Sequence, residues 1–411
     1  MKPKWQAVVV LCVLIVLIAV PLLSCGGKGG EEVVTITIGN VTDLTGPASV
    51  SMRYINYALE DLAKYYNEEH LIPGVKVKII SYDTQYDPSR ALPGYDWARA
   101  HGAKITVSVM SFIGEQIKPF AARDKVPLVN LETTKALIDP PGWVFCTSSL
   151  GVDSARTMLK WISENHWDWE QKGPAKIGFC GWNFSTSTEI VDAWKGYCQS
   201  HPNQFDWSGS YLVPIGATML AGEVEKLKNC DYVGAVGNPT AYLARDFHGI
   251  GSHVTLLDPS TAALAGVQFY SDIAGWDALD GMLSISGSPL WDQDMPVVNL
   301  ARELLDRYRG DKAQEIISTG SPYVGSLHNQ LPILEILQAA VQKVGAENFD
   351  GQAFYDAAIK YQTSGPTWEG YPTWGFSETK RDLIDDRLMY RWDAEVENVV
   401  KVSDWIPAVK E

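Results

Sequence analysis

A chain of 411 residues is too long for one ordinary hydrophobic core and predicts two domains. Its apolar fraction of 46% and charged fraction of 20% are those of a folded globular protein, which excludes a disordered chain. A net charge of −15 excludes nucleic-acid binding, which needs a basic face to displace counterions from phosphate.

The first predicted element is a leader. MKPKWQ is a short basic segment, and residues 7–23 are wholly apolar, with Pro21 the one helix-breaking residue. The stretch LLSC that follows, residues 22–25, resembles the lipobox of bacterial lipoproteins. The resemblance implies a signal peptide over 1–24 and a lipid on Cys25, with 25–33 as a glycine-rich tether. An uncut membrane anchor is the alternative. Its 17 apolar residues stand at the lower edge of what spans a bilayer. Both readings export the rest of the chain.

From residue 33 short β-branched runs alternate with amphipathic segments. VVTITIGN reads as a strand and 49–68 as a helix; VKVKIISYD is the next strand. A helix follows, with Asp87 as N-cap and Pro88 in its first turn. KITVSVMS, IGEQIKPFAARD and VPLVN continue the pattern to WVFCTSS, where it restarts. The second run comprises a helix over 152–165, the strand AKIGFCGW and a helix over about 187–200. Thr186 and Glu189 have the spacing of a capping box at that helix start. SYLVP, a helix over 217–228, CDYVGAVG, a helix over 240–249 and HVTLLD complete it. Alternation of this kind predicts α/β architecture, here two doubly wound lobes with parallel sheets. No repeat of 20–50 residues appears.

Ligands of open parallel sheets bind beyond the carboxyl ends of the strands. That rule selects the loops carrying Ser111, Thr133 and Thr134, whose hydroxyls would either seat a carboxylate or amide or simply cap helices. Trp182 and Phe184 directly follow a strand and would wall a pocket or pack as ordinary aromatics. The 15 tryptophans favour a bulky apolar ligand, although most must serve packing. No nucleophile elbow, HExxH, phosphate-binding loop or complete GxGxxG is present, so no enzyme, cofactor or metal site is expected. Outside the leader Cys146, Cys180, Cys198 and Cys230 form no CxxC pair; export permits disulfides, and buried free thiols are equally open.

The ordered set IGNVTDLTGPAS, IISYDTQYDPSRA, VSVMSFIGEQIKPFA and KVPLVN, behind a lipobox, resembles the type I periplasmic solute-binding proteins of ABC transporters, in the leucine/isoleucine/valine and amide-binding group. The likeness runs from about residue 34 to the C-terminus. It implies a flytrap of two α/β lobes with a three-segment hinge. Lobe 1 would comprise 34–148 and about 286–375, and lobe 2 149–285 and about 376–411. A monomer would capture a small carboxylate- or amide-bearing solute and deliver it to membrane permease subunits. A solute-sensing receptor lobe is the alternative use of the same fold.

Carried over position by position, Ser111 matches the family's carboxylate-binding serine and Thr134 its ligand-binding threonine. Glu132, two positions earlier, places an unusual charge near the cleft. Phe184 matches the aromatic of the second lobe. The amine-binding acid falls at Ser260, with Asp258 two residues earlier as the nearby acid. The aromatic of the LTGP loop is replaced by Ser51. Tyr323 is a late wall residue, and the usual Tyr-Asp pair near its helix is His328-Asn329.

Overall fold

The computed structural model describes residues 33–410. The expectations for the leader, for Cys25 and for nearly all of the tether lie outside the described residues. No helix among the described residues is long and apolar enough to cross a membrane.

Lobe 1 is built on β1 (Val34–Thr42), β2 (Val75–Asp83), β3 (Ala103–Ser108), β4 (Leu128–Asn130) and β5 (Val144–Ser149). These pair in parallel in the order β2-β1-β3-β4-β5, with Val34 opposite Val75 and Thr42 opposite Asp83. Helices cover both faces, as the hydrophobic runs of a parallel sheet require. The longest are Ser49–Glu68 and Pro322–Val344, which pack together; Ile38, Leu59, Ile105, Leu327 and Leu334 are fully buried in that core.

Lobe 2 repeats the winding. Its strands are β6 (Ala175–Trp182), β7 (Phe205–Val213), β8 (Tyr232–Gly234), β9 (Thr255–Asp258) and β10 (Leu283–Ser286), in the order β7-β6-β8-β9-β10. Two clusters, around Phe179 and Trp194 and around Leu256 and Trp392, cover its faces.

The chain crosses between lobes three times: after β5, after β10, and between β11 (Asp382–Ile384) and β12 (Asp386–Asp393). β11 joins β5 at the edge of the first sheet. The third crossing therefore falls at residue 385, not at 375/376 as the sequence suggested. The last strands, β12, β13 (Asn398–Lys401) and β14 (Ile406–Pro407), pair antiparallel, with β12 extending the second sheet beside β10. Arg387, fully buried, ties two crossings: its guanidinium donates to the Leu150 and Asp385 carbonyls and to Ser154 Oγ.

Candidate functional site

Both sheets switch direction beside their first strand, so the loops after β1, β3, β4 and β6 converge where open α/β sheets take ligands. The LTGP turn is fixed by Asp43, whose carboxylate accepts from the Gly46 and Ala48 amides at 2.5 and 2.9 Å. A Cβ on Gly46 would sit 2.6 Å from the Gln85 carbonyl, so only glycine lets the turn lie against the loop after β2. Ser51 lies half-buried in the first turn of the helix launched there.

Ser111 opens the helix Ser111–Asp124, which has no side-chain cap from the residue before it. Glu132 supplies the acceptor from the loop after β4: the Ser111 amide donates to its Oε2 at 2.8 Å. Burial pushes the Glu132 carboxyl above its usual range, opposed by its bonds from Ser111 and reinforced by the charge of Glu115. Next to Ser111, Phe112 meets Tyr86 edge-on with ring centroids 5.0 Å apart. Gln85 and Tyr86 both lie in the left-handed region, at φ 54° and 60°, a strained pair for non-glycine residues.

Thr134 caps the short helix Lys135–Ile138, accepting from the Leu137 amide, and its hydroxyl donates to Glu115 at 3.0 Å. The next amides are taken from the other lobe. Lys135 and Ala136 donate to Glu189 at 3.0 and 3.3 Å, and Ser111 Oγ meets Thr186 Oγ1 at 3.3 Å. The Thr186–Glu189 spacing thus does not form a capping box. The helix starts at Ser185 with Phe184 at the N-cap position, and both side chains reach across the cleft.

Ser111 and Thr134, expected side by side in the cleft, therefore stand on the lobe 1 wall facing Thr186 and Glu189. Phe184 is half-buried against the lobe 2 core, and the Trp182 indole donates to the Ala217 carbonyl. Thr133 is spent within lobe 1, its hydroxyl bonded to Ser148. Asp258 is fully buried and accepts from the Ser260 amide and hydroxyl and from the Ala263 amide at 3.0, 2.7 and 2.6 Å. Burial pushes its carboxyl up to about 7 against those three bonds. It holds its own loop together and offers no free oxygen to an ammonium group. Tyr323 is no cleft wall: it is fully buried and its hydroxyl donates to Asp61. The four cysteines are buried free thiols, which answers the disulfide alternative. Sequence reading missed Glu115, Tyr86, Phe112 and the crossing roles of Thr186 and Glu189. Thr186 and Glu189 carried a signal, but one that a local helix start explained equally well.

No curated protein matches the chain. Similar solved structures include a branched-chain amino acid ABC transporter protein from Thermus thermophilus with bound valine. It is 18% identical, covers 91% of this chain and 97% of that one, and has a TM-score of 0.77. A solute-binding protein from R. palustris in complex with benzoate is 14% identical, covering 92% and 98%, at a TM-score of 0.71. A fatty acid ABC transporter substrate-binding protein from Thermomonospora curvata is 16% identical, covering 91% and 92%, at a TM-score of 0.75. At these identities the likeness is one of fold. The family model described as periplasmic binding protein matches residues 35–395, and the chain belongs to that family.

Proposed function

We propose that this chain is a lipoprotein anchored through Cys25 that captures a small solute between its lobes and delivers it to an ABC permease. The observation that carries the reading is the pair of cross-cleft contacts, Glu189 on the Lys135 and Ala136 amides and Ser111 on Thr186. They sit at the carboxyl ends of the strands, where a solute touching both lobes would be enclosed. A ligand shifts the lobes only through its differential affinity for the closed form, and roughly 5.5 kcal/mol moves a population from 1:99 to 99:1. A few hydrogen bonds in a water-free cleft supply that amount.

The family resemblance implies a solute of the carboxylate- or amide-bearing class, with Ser111, Thr134 and Glu132 on one wall and Trp182 and Phe184 on the other. The test is a thermal-shift panel of amino acids, amides, amines and aromatic acids on the full-length chain in neutral detergent, with X-ray scattering on each hit. A true solute raises the melting temperature and compacts the particle; at a hundredfold over its Kd it adds about 2.7 kcal/mol of stability. If hits stabilise the protein without compaction, capture by lobe closure is wrong. A chain from which Cys25→Ser removes no lipid-dependent membrane association would contradict the anchor.

A further inference from the structure

We infer that Glu132 makes this cleft selective for an organic cation, an amine or quaternary ammonium head group, and bars a free carboxylate from the seat at Ser111. The inference rests on the reading that the cleft takes a solute, and it replaces the carboxylate- or amide-bearing class implied by the resemblance with a cationic one. It sets the chain apart from its fold relatives solved with valine and benzoate, both of which carry a carboxylate.

Both amide seats on the lobe 1 wall are filled by the protein's own carboxylates. Glu132 takes the Ser111 amide, and Glu189 takes the Lys135 and Ala136 amides. A ligand carboxylate at Ser111 would have to displace a tethered one and then lie beside it, within the reach of Glu115 as well. The hydroxyls are spent too: Ser111 and Thr134 are fully buried and engaged with Thr186 and Glu115. Glu132, Glu115 and the rings of Tyr86 and Phe112 keep partial exposure.

Those groups lie close together. Phe112 adjoins Ser111 and touches Tyr86, and the charge of Glu132 acts on the Tyr86 phenol. Among the described residues the groups acting on Glu132 are Ser111 and Glu115, neither of them a cation. A poorly solvated carboxylate without a counter-ion is costly, and a cation held beside it and the Tyr86 and Phe112 rings relieves that cost. The gain exists only when the ligand is present, which is the differential affinity that closure requires.

Calorimetry on the full-length chain in neutral detergent decides the matter with isoamylamine, isovalerate and isovaleramide, which share one branched frame and differ only in the head. Leucine and tetramethylammonium extend the set. Isoamylamine and tetramethylammonium are expected to bind and isovalerate to fail; Glu132→Gln should weaken the cations about tenfold or more, a step of 1.4 kcal/mol. Should that variant fold poorly, the unaltered protein still answers. The charge of tetramethylammonium is fixed, so its affinity must fall on acidification as Glu132 gains a proton. The titratable neighbours are Glu115 on the helix after β3 and Tyr86, with Asp43 behind it. Isovalerate or leucine binding more tightly than isoamylamine overturns the inference, and so does silence from both cations. An affinity for tetramethylammonium indifferent to pH and to Glu132→Gln does the same. If the cations are silent while another solute compacts the lobes, only the head-group assignment falls. If no solute compacts them, the capture reading falls as well.

Discussion

Glu132 and Asp258 occupy corresponding places in the two lobes. Each stands at the exit of the fourth strand of a 2-1-3-4-5 sheet: Glu132 two residues past the end of β4, Asp258 as the last residue of β9. Asp258 spends both oxygens on its own loop, and the loop is sealed. Glu132 gives Oε2 to a helix amide from a different loop and stays half-exposed. One carboxylate builds the wall and the other faces what the wall encloses. Desolvation raises both, so a perturbed acid by itself does not mark a binding residue; the number of bonds it has already accepted does.

The largest effect should come from removing the sealed member. Asp258→Ala strands the half-buried Ser260 amide and the buried Ala263 amide and should cost about 3–5 kcal/mol in urea unfolding. Glu132→Gln should cost far less stability while changing which solutes bind. Equal losses for the two variants would erase the distinction between them.

Beside the second crossing, on the helix Pro322–Val344, lies another titratable group. His328 is fully buried among Trp368, Tyr371 and Trp374, and Nδ1 contacts Asn329 Oδ1, which also accepts from Ser288. Burial lowers it from 6.5 to about 4. The folded state thus binds its proton less tightly than the unfolded chain, so its stabilising effect is complete above about pH 6.5 and is lost as pH falls towards 4. The swing is about 3 kcal/mol, and His328→Phe should flatten that part of the stability profile. An unchanged slope in the variant would place the acid sensitivity elsewhere.

A smaller change tests the cross-cleft contacts. Glu189→Ala removes two charge-assisted bonds between lobes and should shift the closing equilibrium by about 1–2 kcal/mol. Scattering without ligand would then report a more open average particle, with the unfolding midpoint of each lobe nearly unmoved. The smallest expectation is no effect: with four buried free thiols among the described residues, reductant should leave the melting temperature where it was.

Much of this was legible in one dimension. The strand and helix order follows from hydrophobic period, and the Asp87 cap forms as its residues predict, accepting from the Ser89 amide. Motif register placed Ser111 and Thr134 at helix starts on the lobe 1 wall, because a residue's distance from a strand end is a local quantity. It failed where the partner is remote. Thr186 and Glu189 have the spacing of a cap, and only the facing lobe turns them into a clasp. Tyr323 reads as a wall residue until Asp61, far away in sequence, claims its hydroxyl.

By itself, then, the sequence determined the two lobes, the winding of their sheets and which loops border the cleft, since these follow from periodicity and from turns a few residues long. Tertiary structure alone decided which carboxylate is sealed and which is open, and where the third crossing falls. It also decided that Glu189 serves the opposite lobe. Those outcomes depend on which acceptors meet which amides once distant segments pack, and sequence spacing does not encode that proximity.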